Sequence, residues 1–72
     1  MDSSIKRYIA DTIVKRRIEI GMEQEELCDY ADIGISTLSK LENAKANVTI
    51  ETLEKIINIL GLEIMIQTKQ TI

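Results

Sequence analysis

The hydrophobic positions in the first third of the chain recur at helical spacing. Five isoleucines form this stripe: Ile5, Ile9, Ile13, Ile18 and Ile20. Because residues three or four apart lie on one face of an α-helix, the stripe predicts an amphipathic helix from about Ser4 to Ile20. Gly21 follows directly, and glycine often lies just past the last turn of a helix. We therefore expect the first helix to end there.

Two shorter helices joined by a tight turn are predicted next, from about Gln24 to Ala31 and from about Ile35 to Asn43. The turn, Asp32 to Gly34, contains residue types that tolerate unusual backbone conformations. When Gln24 is the first position of a helix-turn-helix pattern, the positions at the helix crossing must be apolar. They are all apolar here: Leu27, Ala31, Ile33, Leu38 and Leu41. Cys28 lies at the closest approach, so we interpret it as a small buried hydrophobe and not a redox group.

A fourth helix is predicted between Thr49, whose hydroxyl can cap a first turn, and Gly61, which can end a last one. The apolar positions between them follow a helical period: Ile50, Leu53, Ile56, Ile57 and Leu60. The four helices together predict a mainly α-helical domain over residues 1–61.

The period of the apolar residues changes to two after Gly61, which predicts a β-strand from Leu62 to Lys69. No second strand is predicted in the chain, and a lone strand would leave its backbone donors and acceptors unpaired. We therefore expect this segment to pair antiparallel with its copy in a two-fold symmetric homodimer. Residues 62–72 are thus predicted to be a dimerisation strand and tail. The expected dimer contacts are Leu62, Ile64, Met65 and Ile66.

Composition limits the chemistry available to this chain. It has 72 residues, one cysteine and no histidine. A chain of this length forms a single domain with a marginal core, which is a further reason to expect oligomerisation. Without histidine or paired cysteines we expect no cofactor, no metal site and no enzymatic activity. The charged N-terminal segment lacks a long apolar run, so we expect a cytoplasmic protein with no membrane contact.

The charges are distributed unevenly along the chain. The formal net charge is −3, which argues against a protein that coats nucleic acid non-specifically, because phosphate contacts come from lysine and arginine. Residues 1–20 nevertheless carry five basic residues, whereas residues 21–34 carry five acidic residues and no basic one. We therefore expect an electrically two-sided molecule.

The stretch from Ile13 to Leu62 resembles the Xre family, the lambda-repressor-like helix-turn-helix proteins of bacteria. The shared features are a Gly-x-x-Gln-x-x-Leu start at Gly21, a Ser/Thr-rich third helix, a Glu-Asn pair at Glu42 and a closing Leu-Gly at Leu60. The order of Leu-Glu-Asn, Asn-x-Thr and a C-terminal strand is most similar to the HipB-type antitoxins, which partner a HipA-like kinase. The resemblance implies a transcriptional repressor that binds a double-stranded DNA operator.

The resemblance also implies a role for individual residues, because the third helix would enter the major groove. Base contacts are expected from Ile35, Ser36, Ser39 and Lys40. Contacts to the DNA backbone are expected from Gln24, Thr37, Asn43, Lys45 and Asn47. The family glutamine that Gln24 matches contacts a phosphate or the first base pair. The resemblance and the helix spacing place Arg17 opposite Glu42, where we expect a partly buried ion pair. Without DNA contact, the serines and lysines would be ordinary polar surface, and Ile35 could instead fill a small gap in the core.

Some positions depart from the pattern of the family. The usual turn glycine is Asp32, the usual Ser or Thr cap of the third helix is Gly34, and the glycine of Glu-Asn-Gly is Ala44. Acidic residues crowd the start of the second helix, where a phosphate should approach: Glu23, Glu25 and Glu26. We therefore expect weak DNA binding by the isolated chain.

Three functions remain open from the sequence. The first is a repressor that also neutralises a HipA-like kinase, and the second is a stand-alone regulator of a phage or mobile element. The third is a helical adaptor whose acidic face binds a protein and which does not bind DNA. Neighbouring genes would separate the first two, and a gel shift with the promoter of its own gene would separate both from the third.

Overall fold

Four helices make up the part of the chain that the computed structural model describes, residues 4–69. They are α1 (Ser4–Glu19), α2 (Gln24–Ala31), α3 (Ile35–Glu42) and α4 (Ile50–Ile59). The predicted mainly α-helical class is confirmed, and α1 and α3 each end one residue earlier than predicted, within the usual uncertainty of helix ends. Residues 1–3 of the predicted domain and residues 70–72 of the predicted tail lie outside the described residues.

The core lies between the helices of the predicted helix-turn-helix and their two neighbours. α2 packs against α3 and α4, and α1 packs against α3. Ile33, in the turn, is partly buried against this core, and the other four crossing positions are buried, as the pattern required. The buried side chains are Ala10, Ile13, Leu27, Cys28, Ala31, Leu38, Leu41, Ile56, Ile57 and Leu60.

The predicted apolar face of α1 is partly wrong. Ile13 is fully buried, but Ile5 and Ile18 are 69% and 64% exposed, and Ala10 is fully buried in their place. A helix turns about 100° per residue, so Ile18 lies about 140° around the helix from Ile13, whereas Ala10 lies about 60° away. The buried face therefore follows Ala10 and Ile13, and the isoleucines do not form a single stripe.

Three of the helices end in the same hydrogen-bond pattern, the Schellman motif. At the end of α4, the N–H of Gly61 donates to the carbonyl of Asn58 at 3.1 Å and the N–H of Leu62 donates to that of Ile57 at 2.9 Å. Gly21 and Gly61 have φ values of 70° and 69°, as this motif requires after α1 and α4. After α3 the same position is occupied by Ala44, with a φ of 60°.

The segment after α4 is not a strand in this single chain, which corrects the prediction for Leu62 to Lys69. Within residues 4–69 no other strand exists to complete a ladder, and a strand is defined by such pairing. Leu62 packs against the core, but Ile64, Met65 and Ile66 are exposed and do not pack onto α4. None of the helices in the described part of the chain is both long and apolar enough to cross a bilayer.

Candidate DNA-binding surface

The turn between α2 and α3 forms without a glycine at its first residue. Asp32 follows α2 in the left-handed conformation, with φ 55° and ψ 50°, and the N–H of Ile33 donates to the carbonyl of Cys28 at 3.1 Å. After glycine, aspartate and asparagine are the residues that most readily adopt this conformation, because their short polar side chains can form local hydrogen bonds. Gly34 then caps α3 in an extended conformation, without a side-chain hydrogen bond. The departures noted in the sequence are therefore compatible with the turn.

α3 turns Leu38 and Leu41 inward, its last residue Glu42 is also largely covered, and its remaining side chains are exposed. Leu38 is fully buried and Leu41 nearly so, and both hold the helix on the core. Ile35 is 48% exposed at the first turn, so it does not fill a gap in the core. All side chains predicted to contact base edges are exposed on this helix, together with that of Thr37: Ile35, Ser36, Ser39 and Lys40.

The loop after α3 exposes the polar residues that were predicted to contact phosphates. Asn43, Lys45 and Asn47 are all exposed. The Nδ2 of Asn43 donates to the carbonyl of Ser39 at 2.7 Å, and the N–H of Lys45 donates to that of Lys40 at 2.8 Å. Because its backbone N–H is engaged, Lys45 can reach a phosphate only through its ammonium group.

Arg17 and Glu42 form an ion pair that joins α1 to the end of α3. The Nε of Arg17 donates to Oε2 of Glu42 at 2.8 Å, and its Nη2 donates to Oε1 at 3.2 Å. The two side chains are only 14% and 6% exposed, so the pair is largely removed from water. Two more bonds complete it, from Arg17 Nη1 to the carbonyl of Met22 at 2.9 Å and from Gln24 Nε2 to Glu42 Oε1 at 2.8 Å. The structure thus brings Gln24 to the carboxylate that Arg17 binds.

The N-terminus of α2 already holds an anion from its own chain. The side chain of Glu23 accepts a hydrogen bond from the backbone N–H of Glu26, and the Oε1 of Glu26 accepts one from the N–H of Glu23 at 3.1 Å. Free N–H groups are what make a helix N-terminus attractive to phosphate. A phosphate arriving here would have to displace Glu23 and approach the exposed carboxylate of Glu25. This arrangement opposes phosphate binding at α2.

Cys28 is a buried thiol in the contact between α2 and the rest of the core. Burial raises the pKa of the Cys28 thiol above its ordinary value, and the nearby negative charges of Asp29, Glu42 and Glu25 raise it further. Since only the thiolate is a good nucleophile, this environment keeps the group inert. The geometry agrees with the packing role predicted for Cys28.

Comparison with known proteins identifies the fold and its family. The helix-turn-helix family HTH_3 matches residues 13–66. The chain belongs to this family. It is therefore a DNA-binding regulator and not an enzyme. No curated protein matches it.

Solved structures of one restriction-modification controller protein, C.Esp1396I, are similar to this helix-turn-helix chain. A mutant of that protein has a TM-score of 0.80 and 32% identity, over 88% of this chain and 80% of its own. The wild-type controller has a TM-score of 0.78 and 31% identity, over 86% of this chain and 82% of its own. A tetramer of the same controller in complex with its natural 35 base-pair operator has a TM-score of 0.78 and 31% identity, over 86% of this chain and 82% of its own.

Sequence reasoning missed some of the contacts that shape this helix-turn-helix surface. The Nε of Arg16 donates to the carbonyl of Leu60 at 2.8 Å and so caps the end of α4, a contact across 44 positions that no local pattern reveals. The paired caps of Glu23 and Glu26 did have a signal, because the two residues stand at the spacing of a capping box. Within residues 4–69 no group of acidic or cysteine side chains could hold a metal ion.

Proposed function

We propose that this chain is a transcriptional regulator that binds a two-fold symmetric DNA operator as a homodimer. The outward face of α3 carries this proposal, because it offers hydroxyls, an ammonium group and one branched apolar side chain on a helix held by Leu38 and Leu41. An α-helix fits the major groove, and these groups suit base edges and thymine methyls. The complex of C.Esp1396I with its operator supports the same use of the fold.

The proposed DNA contacts divide into two classes that respond differently to mutation. Alanine at Ser36, Ser39 or Lys40 is expected to weaken binding by about 1–3 kcal/mol and to relax preference at one base pair. Alanine at Lys45 is expected to weaken binding to all sequences. It should also reduce by about one the slope of the logarithm of the binding constant against the logarithm of the salt concentration. The base contacts proposed are Ile35, Ser36, Ser39 and Lys40. The backbone contacts proposed are Gln24, Thr37, Asn43, Lys45 and Asn47.

The test is equilibrium binding, by fluorescence anisotropy, to the promoter of its own gene and to a shuffled duplex of the same composition. Tight binding to the promoter alone, lost with the α3 variants, would support the proposal. Alanine at Ser36, Ser39, Lys40 and Lys45 could instead weaken binding to both duplexes equally. That result would contradict the assignment of α3 as the helix that contacts base edges. Binding to neither duplex would favour the adaptor.

We propose that residues 62–69 form the dimer contact by antiparallel pairing with a second copy. Leu62, Ile64 and Ile66 would lie on one face of a strand, and Ile66 is 93% exposed in the single chain. Eight residues at about 3.3 Å each give a ribbon of roughly 26 Å, long enough to join two small domains. If the two copies of α3 then lie about 34 Å apart, they can enter successive major grooves.

Truncation after Gly61 tests the dimer contact, with a chain lacking only residues 70–72 as its control. We expect the shorter chain to have a monomer mass in solution and to lose operator affinity, while the control keeps both. A truncated chain that dimerises and binds as tightly as the control would show that the segment does neither.

The genes under control are a separate question, with two candidates. Similarity to C.Esp1396I favours a controller of restriction-modification genes. The antitoxin of a HipA-like kinase is the second candidate, and its support is the motif order from Leu41 to Thr49 and the exposed apolar tail. Reading frames for a nuclease and a methyltransferase beside the gene would favour the first, and a kinase reading frame would favour the second.

A further inference from the structure

Arg16 ties α1 to the point where the chain leaves α4. Its Nε donates to the carbonyl of Leu60 at 2.8 Å, and its Nη2 lies 3.5 Å from the position that a side-chain carbon at Gly61 would occupy. α4 packs mainly against α2, so this bond is a separate link between α1 and the end of α4. A cation is also favoured there, because the C-terminal end of a helix dipole is negative. The guanidinium therefore holds the peptide group between Leu60 and Gly61, from which residues 62–69 depart.

The direction of residues 62–69 is set only at this exit from α4. The backbone N–H groups of Gly61 and Leu62 are bonded to carbonyls of α4, and the side chain of Leu62 packs against the core. From residue 63 to residue 69 the chain forms no hydrogen bond with any other residue of the described range 4–69. The bond from Arg16 is thus the one side-chain tie, within that range, that acts on the exit peptide.

The next residue, Arg17, ties the same turn of α1 to the end of α3. Successive residues of a helix point about 100° apart, so the two arginines face different elements. Arg16 reaches Leu60, and Arg17 reaches Glu42. One turn of α1 therefore connects the helix proposed to enter the major groove with the segment proposed to join two copies of the chain.

We propose that Arg16 is a positioning residue that fixes the angle between each domain and its dimer segment, and so selects the spacing of the two operator half-sites. The assignment rests on the proposed pairing of residues 62–69 and on the proposed operator binding. One extra base pair moves the half-sites apart by about 3.4 Å and rotates one against the other by about 35°. A dimer with rigid joints loses one half-site when the spacing changes, whereas a dimer with loose joints can follow.

The experiment compares binding to operators with the preferred spacing and with one base pair added or removed between the half-sites. The full-length chain first selects the preferred site from a randomised duplex library. The wild type should bind both altered spacings roughly tenfold or more weakly, because a dimer loses avidity when its two halves cannot bind together. Lys15→Met should keep this ratio, since it changes an exposed neighbour on the same helix.

Two substitutions of similar size separate the hydrogen bond of Arg16 from its bulk. Arg16→Gln places an amide nitrogen at the same point of the side chain as Nε and should keep most of the spacing preference. Arg16→Met has no donor, so it should keep the dimer mass but bind all three spacings within about threefold. A further variant keeps Arg16 and loosens the joint with two glycines inserted after Leu62, which preserves the alternation of strand faces. It should lose the spacing preference as well.

The outcomes distinguish this proposal from those on which it rests. A purely structural role of Arg16 would weaken binding to all three spacings by the same factor, and that result would overturn the assignment. So would an Arg16→Met variant with the wild-type ratio when the glycine insertion loses it. If the insertion keeps the ratio too, residues 62–69 do not join the copies. A wild-type chain that is monomeric or selects no site would refute the operator-binding dimer itself.

Discussion

Removal of the positive charge of Arg17 is expected to destabilise the domain strongly. Arg17→Met keeps most of the aliphatic stem of the side chain but removes three hydrogen bonds, two to Glu42 and one to the carbonyl of Met22. The carboxylate of Glu42, 6% exposed, then keeps only the bond from Gln24. The substitution therefore leaves a buried charge without its counter-ion.

The size of the effect follows from the burial of the pair. Breaking a buried ion pair by removal of one partner costs about 3–5 kcal/mol, and the bond that Gln24 keeps favours the lower end of that range. A domain of this length is expected to have a free energy of unfolding of about 4–11 kcal/mol in total. At about 4–8 °C per kcal/mol, the melting temperature should fall by at least roughly 12 °C.

A double-mutant cycle separates the ion pair from packing. The variants are Arg17→Met, Glu42→Met and the two combined, compared by urea denaturation and thermal unfolding. Two apolar side chains in place of a buried pair are often neutral or stabilising, so the double variant should be more stable than either single one, with a coupling of at least about 2 kcal/mol. Lys15→Met is the matched control, since it removes an exposed positive charge from the same helix.

The reasoning fails if Arg17→Met and Lys15→Met change the free energy of unfolding by similar small amounts. It also fails if the coupling in the cycle is below about 0.5 kcal/mol, which is typical of an exposed pair. Either result would show that the pair is solvated in solution.

Three further predictions concern caps and the buried thiol. Ala44→Gly should raise the free energy of unfolding by about 0.5–1 kcal/mol. A left-handed alanine costs about 1–2 kcal/mol, and the greater conformational entropy of glycine in the unfolded chain offsets part of that gain. A lower melting temperature would contradict this. Glu23→Ser keeps a capping oxygen and removes a carboxylate, so affinity for all DNA sequences should rise in anisotropy titrations. Glu54→Ser, at an exposed position of α4, should leave that affinity unchanged. The pKa of the Cys28 thiol is raised in the folded chain. The stability that comes from the neutral thiol is therefore complete below the ordinary thiol pKa of about 8.5. It is lost as the pH rises through the higher pKa of the thiol in the folded state. Urea midpoints between pH 7 and 10 should therefore fall more steeply for the wild type than for Cys28→Ala, and parallel curves would contradict the shift.

Local signals explain which parts of the fold could be predicted from the sequence. Thr49 does cap α4, accepting from the N–H of Thr52 at 3.1 Å, and Gly21 and Gly61 end α1 and α4 in the left-handed conformation that glycine adopts freely. The outward face of α3 follows directly from the spacing of its two inward leucines. These features depend on a few neighbouring residues, so a single sequence contains them.

The features that were missed depend on the packing of distant segments. The buried face of α1 is decided by where α3 lies, so small Ala10 is buried and larger Ile18 is not. Gln24 and Glu42 are 18 positions apart, and their bond exists only because α2 and α3 cross at the tight turn. The strand predicted after Gly61 is not formed, because a strand is defined by pairing and residues 4–69 contain no partner for it.

The ion pair and the DNA-binding surface are parts of one arrangement. Arg17 anchors the carboxylate at the end of α3, and that carboxylate holds the first residue of α2, so the two helices are tied at positions away from their connecting turn. An apolar pair at the same two positions could keep the helices packed, but it would leave the Gln24 amide free to rotate. Stability and the orientation of the Gln24 amide can therefore be separated by substitution at Arg17 and Glu42. A polar network of this kind is therefore better explained by the orientation it imposes than by the stability it adds.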